Sequence, residues 1–123
     1  MKEKWGRYAW CIEHGTDLIH PDDIENFKKE AHNCKVFKCI EEGEYLTLRY
    51  GNKYYRVKNK LFVPVPSPKF DFGEKVILKD KNVEATITDI MWHMNKHEHY
   101  YYVTIGKKKH SKRFFESELS KIE

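Results

Sequence analysis

No apolar run in this chain of 123 residues approaches the ~20 that a membrane-spanning helix needs, and the opening Met1 to Trp10 has no apolar stretch of secretion-signal length. The expectation is a cytoplasmic protein with no membrane partner. Cysteine is scarce and odd in number, and Cys11, Cys34 and Cys39 in a chain without a secretion signal predict reduced thiols rather than a disulfide framework. Cys34 and Cys39 are five apart, so on one extended strand they point to opposite faces and do not bridge. Only 4 Pro and 6 Gly occur, while 40% of residues are apolar and 15% aromatic, which excludes a disordered or low-complexity chain. Also missing are a Gly-rich phosphate loop, a His-Glu-x-x-His pair, carboxylates in a recognisable frame and a glycine turn around any cysteine. The cysteines read as buried structural thiols. No enzyme class and no cofactor is indicated.

Charge is present in quantity but nearly balanced, with 23 Lys and Arg against 19 Asp and Glu. Five of the positive charges fall in Lys107-Lys-Lys-His-Ser-Lys-Arg113, and without them 18 basic residues face 19 acidic ones. The whole net charge of +4 is therefore local to that segment.

The strongest punctuation is Val63-Pro-Val-Pro-Ser-Pro-Lys69, which is neither helix nor central strand and reads as an extended connector. It predicts a small antiparallel β domain over 1–63, a connector over 64–69 and a second domain over 70–123. In the first domain, Pro21 suits a first helical position, Asp22 and Asp23 suit the positive end of the helix dipole, and Lys28 and Lys29 the negative end. Ile24, Phe27 and Ala31 form one apolar stripe, which predicts a short helix over 21–31. Strands are expected from Cys34 to Ile40, Glu44 to Tyr50 and Lys53 to Lys58.

A two-residue Gly51-Asn52 turn sets the register of the last two strands. Leu46 then pairs with Val57, Leu48 with Tyr55 and Tyr50 with Lys53, and Leu46, Leu48, Tyr55 and Val57 share a core face. Tyr45, Arg49, Tyr54, Arg56 and Lys58 fall on an exposed, basic and aromatic face. A slip of one residue would exchange the two faces, so the segregation itself specifies the register.

In the second domain a strand opens at Phe72 to Leu78, Asp80-Lys-Asn82 turns it, and Val83 to Ile90 alternates before slipping phase near Asp89, the sign of a bulge. A polar loop is expected from Trp92 to His99, then a strand from Tyr100 to Ile105 with Tyr101, Val103 and Ile105 inward, and further strands at Ser111 to Phe115 and at the end of the chain.

The order Phe72-Gly73, Val76, Ala85-Thr-Ile-Thr-Asp-Ile90, Tyr102-Val103, Gly106 and Phe115-Glu-Ser-Glu-Leu119 resembles the SH3-like small barrels of the Tudor and KOW type. The resemblance covers 70–123 and implies a five-stranded barrel; Asn82 and Val83 stand where that group usually has Gly. Such a fold by itself does not assign a function.

His93, His97 and His99 with His110 raise the question of a metal, but they lack a standard ligand spacing and a solvated loop is the plainer account; Cys11 and His14 with His32 and Cys34 raise it too, but these pairs sit on a strand and beyond a helix. Trp92, Tyr100 and Tyr102 with Asp89 could approximate a cage for a cationic side chain, as Tudor-type domains build. The basic segment beside outward Tyr100 and Tyr102 is the combination that single-stranded nucleic acid binding uses, cations on phosphates and rings under bases. The bland alternative is a solvated turn whose lysines discourage edge-to-edge association. The reading is a mostly β protein acting as a non-catalytic binding module. Single-stranded RNA or DNA is the first partner, through Lys107, Lys108, Lys109, Lys112 and Arg113 with Tyr100, Tyr102, Arg49 and Arg56; a protein surface is the alternative, and a small metal-dependent enzyme the third.

Overall fold

The computed structural model describes residues 4–30 and 34–122. The chain divides into two compact units, Met1–Ser67 and Pro68–Glu123, each built on an antiparallel sheet, so the protein is mostly β with one short α-helix.

The first unit holds strands β1 (Lys4–Tyr8), β2 (Val36–Glu41), β3 (Leu46–Tyr50), β4 (Lys53–Val57) and β5 (Phe62–Val65) in the spatial order β4-β3-β2-β1-β5. The turn at Gly51, with φ of 64°, gives the expected hairpin register: Leu46 opposite Val57, Leu48 opposite Tyr55, Tyr50 opposite Lys53. Leu46, Leu48, Tyr55 and Val57 are buried as expected. Arg49 and Arg56, expected to be exposed, are half-buried because each guanidinium bonds to the protein itself: Arg49 Nη1 donates to the Gly51 carbonyl at 2.9 Å and Arg56 binds Asp23.

The helix begins one step differently from the expectation. His20 caps a 3-10 turn over Pro21–Asp23, its ring nitrogen accepting from the Asp22 N–H at 3.1 Å, and the α-helix α1 (Ile24–Glu30) follows directly. A seven-residue helix is not stable alone. Phe27 anchors it, fully buried among the rings of Tyr8, Trp10, Phe37 and Tyr55 at centroid distances of 5.4 to 6.1 Å. Ala31, the last residue of the expected stripe, lies outside the described residues. β2 starts at Val36, so Cys34 precedes the strand and does not share it with Cys39.

Pro64 and Val65 belong to edge strand β5, opposite Gly6 and Trp5, so the connector expected over 64–69 begins only after Val65. An edge strand tolerates proline because one side of it needs no N–H.

The second unit is a meander of β6 (Lys75–Leu78), β7 (Val83–His93) and β8 (Glu98–Ile105), after which β9 (Lys108–Lys109) and β10 (Phe114–Phe115) both pair with β8. A 3-10 turn over Glu116–Glu118 then leads to β11 (Leu119–Lys121), which returns to pair with β6. Asn82 has a φ of 53°, the left-handed conformation that asparagine tolerates better than most residues and glycine adopts freely. The register of β7 against β8 shifts between Ile87 and Asp89, which is the expected bulge.

The loop expected from Trp92 to His99 is shorter. β7 runs to His93 and β8 starts at Glu98, with Trp92 opposite His99 and both buried, leaving 94–97 as the turn. Tyr101 and Val103 point into the core, but Ile105 at the strand's end is half-buried. Among the described residues no helix is long and apolar enough to cross a membrane.

Candidate functional site

Because side chains alternate along a strand, the bulge at Asp89 decides what each face of the second sheet carries. Ile87, Ile90, Tyr101, Val103 and Phe114 face the core. Asp89, Met91, His93, Tyr100, Tyr102 and Phe115 share the other face, through the register pairs Asp89–Tyr102, Met91–Tyr100 and Phe115–Tyr100.

That second face is a packed aromatic layer. The ring of Tyr100 lies 5.9 Å from both Tyr102 and Phe115 and 6.1 Å from His93, and Phe115 lies 5.8 Å from His93. Cations roof it. Lys96 Nζ is 4.5 Å from the centre of the Phe115 ring, and the Arg113 guanidinium is 5.4 and 5.6 Å from Tyr100 and Phe115. Each such contact contributes roughly 0.5–1 kcal/mol at an exposed site, and Tyr100, between Arg113 and the rings of His93, Tyr102 and Phe115, is only 8% exposed. Tyr100 is therefore no open platform, in contrast to the expectation; Tyr102 and Phe115 are half-buried.

The basic segment is not uniformly available either. Lys109 Nζ sits 3.0 Å from Asp89 Oδ2, Lys112 sits 3.7 Å from Asp80 and 5.1 Å over the Phe114 ring, and Arg113 is stacked as described. Lys107 and Lys108 are exposed and have no ion-pair partner among the described residues. Of the five cations, these two meet a polyanion without first giving up a contact.

Arg49 and Arg56 belong to the first unit. Asp23 accepts from the backbone N–H and Nε of Arg56 at 2.8 and 2.9 Å. Burial raises the Asp23 carboxyl, but the hydrogen bonds and charge of Arg56 outweigh it and hold the carboxyl below its usual value, while Asp23 raises Arg56 in turn.

Among the described residues, no group of three or more His, Cys, Asp or Glu side chains is placed to hold a metal. His99, expected in a solvated loop, is buried against Trp92, and the His93 ring accepts from the Lys96 N–H at 3.1 Å, so these histidines are divided between core and turn. The cage candidates are likewise divided: Trp92 faces the core, and Asp89 holds Lys109. All three cysteines are free thiols. Cys11, expected to be buried, is exposed; its Sγ lies 3.3 Å from His14 Nδ1, and a hydrogen bond to Glu13 raises the thiol, the reverse of what a nucleophile needs. His32 lies outside the described residues.

Lys96 and Phe115 are the site residues that reading the sequence passed over. Phe115 lies 15 positions after Tyr100 in the chain, and their pairing appears only once β10 is laid on β8.

The chain belongs to a family of unknown function (DUF6960), whose model matches residues 1–120. No curated protein and no solved structure matches it.

Proposed function

We propose that the protein is a non-catalytic binding module of a reducing, cytoplasmic compartment. On this reading its second unit is an SH3-like small barrel of the Tudor and KOW type that binds single-stranded RNA or DNA. The barrel assignment is supported by the meander β6-β7-β8, the 3-10 turn over Glu116–Glu118 and the return of β11 to β6. The observation that carries the binding assignment is that Lys96 and Arg113 lie over Phe115 and Tyr100 on the same sheet face as half-buried Tyr102. Phosphates take the cations, and a base takes the place a cation vacates on the Phe115 ring. Lys107 and Lys108 supply the first, long-range attraction. The affinity is weak because Lys109, Lys112 and Arg113 exchange one partner for another.

The test is a fluorescence titration of the full chain with a labelled decameric oligothymidylate and its uridylate counterpart at several salt concentrations. It is repeated on a Lys107→Ser/Lys108→Ser variant. Saturable binding whose log–log salt slope shrinks by up to about 0.7 per charge removed is the expected result. No saturable binding at low salt, or a slope that the variant leaves unchanged, overturns the assignment and leaves a protein-binding module as the better reading.

A further inference from the structure

Strand β4, one edge of the first sheet, has a position on its outer side that no described residue covers. In a hairpin with a two-residue loop the closing pair, Tyr50 and Lys53, exchanges backbone hydrogen bonds, so the N–H and C=O of Tyr54 and of Arg56 point away from β3. At Arg56 both are taken, the N–H by Asp23 Oδ2 at 2.8 Å and the C=O by the His20 N–H at 2.9 Å. Further on, the Lys58 N–H donates to Leu18 at 2.8 Å and Ile19 bridges Val57. The described residues cover the outer side of β4 back to Arg56 and no further. At Tyr54 no described residue takes either group.

This position opens on a cleft of 380 Å³ lined by Asn26, Lys29 and Glu30 of α1 and by Lys53, Tyr54 and Tyr55 of β4. One wall is held rigidly: the Glu30 side chain, 11% exposed, lies 3.3 Å from Lys35 and 3.9 Å from Lys53, and it also hydrogen-bonds the buried Tyr55. Its charge is thus already met by two lysines. Lys29, exposed on the last turn of α1, has no ion pair among the described residues, so the rim carries excess positive charge.

We infer that this cleft receives the carboxy-terminal end of an extended peptide. One peptide residue pairs with Tyr54 through two backbone hydrogen bonds, and the terminal carboxylate lies between Lys29 and Lys53. Strand addition supplies the donor–acceptor pair and the lysines supply the selection for a terminus. A nucleotide fits less well, because Tyr54 alternates to the sheet face opposite Tyr55, beside Arg49. The volume of 380 Å³ lies at the lower end of the roughly 300–1,000 Å³ of small-ligand sites, enough for the last residues of a peptide. The site lies in the first unit and stands apart from the nucleic-acid assignment of the second.

The test titrates the nitrogen-15-labelled full chain with N-acetyl-Val-Thr-Val bearing a free carboxylate, with the same peptide amidated at its end, and with adenosine monophosphate. The expected result is saturating shifts centred on the Tyr54 and Lys53 amides with a Kd of roughly 1 mM for the acid, and about tenfold weaker binding of the amide. Tyr54→Ala, which keeps the backbone groups, retains that preference, and Lys29→Ser/Lys53→Ser loses it. Equal binding of acid and amide overturns the inference, as does a preference that survives in the double variant. So do saturation by the nucleotide alone and no saturation by about 10 mM peptide.

Discussion

Asp23 Oδ2 accepts both the backbone N–H and the side-chain Nε of Arg56, at 2.8 and 2.9 Å, while Oδ1 lies 3.3 Å from Nη2. One carboxylate thereby caps the edge of β4, fixes the end of the 3-10 turn and removes Arg56 from the free cations of its sheet face. Unit 1 has an acid-sensitive fastening at this point.

Because the folded Asp23 carboxyl titrates below its unfolded value near 3.8, its contribution is present above that value and is lost as pH falls through the lower folded one. The stability of the first unit, followed by its amide signals across a urea series, is expected to drop between about pH 5 and pH 2. In Asp23→Asn that part of the dependence is missing. An unaltered pH profile in the variant would refute the linkage.

Alkali acts through the buried phenols. Burial pushes Tyr8 up to about 12, and burial together with Glu30 pushes Tyr55 up to about 12; Tyr101 is raised also, by burial and by its hydrogen bond to Glu116. Since the neutral form is favoured in the fold, stability is fully present below the unfolded value near 10 and is lost as pH rises through the folded values. The ultraviolet titration of the chain's eight tyrosines is expected to leave these three unionised until pH approaches 12, with their ionisation coinciding with unfolding. Tyr101→Phe removes one of the late phenols.

Gly6 on β1 has no room for a side chain. A Cβ there would lie 2.6 Å from both the Phe62 ring and the Val63 carbonyl oxygen of neighbouring β5. The ring can turn away, but the carbonyl is fixed by the strand. Gly6→Ala is expected to destabilise the first unit by about 1–3 kcal/mol, measured by urea unfolding, and to leave the amide spectrum of the second unit unchanged.

On the proposed nucleic-acid reading, Asp89 competes with phosphate for Lys109. The carboxylate is 3.0 Å from the ammonium and its side chain is only 15% exposed, so Asp89→Asn frees a third lysine and removes a negative charge from the aromatic face. Oligonucleotide affinity at low salt is expected to rise by about two- to fivefold. Weaker binding by this variant would mean that Lys109 needs Asp89 to hold it in place.

What the sequence disclosed follows from the range of the interactions involved. The hairpin register was legible because period-two alternation and a two-residue turn specify it within 14 residues, from Tyr45 to Lys58. The bulge near Asp89 was legible for the same reason, as a break in alternation. Trp92 and His99 look like loop in the sequence because His93 and His97 interrupt the apolar pattern, and their pairing across the turn buries them. The burial of Tyr100 depends on Arg113 and Phe115, and the capture of Arg56 depends on a carboxylate 33 positions earlier. Neither local propensity nor composition contains those distances.

The two short strands β9 and β10 hang on the same edge of β8, so residues 110–113 between them form a loop closed upon a single strand. Loop-closure entropy changes slowly with length, about 0.6 kcal/mol for each doubling, and the segment is tied to β8 at its start, where the His110 N–H donates to the Val103 carbonyl at 2.9 Å. The segment is therefore a natural insertion point. Residues can be inserted beside Ser111 while Thr104, Ile105, Tyr100 and Tyr101 keep their strand partners and Arg113 keeps its place over Tyr100, which makes the second unit a scaffold onto which new recognition sequences can be grafted.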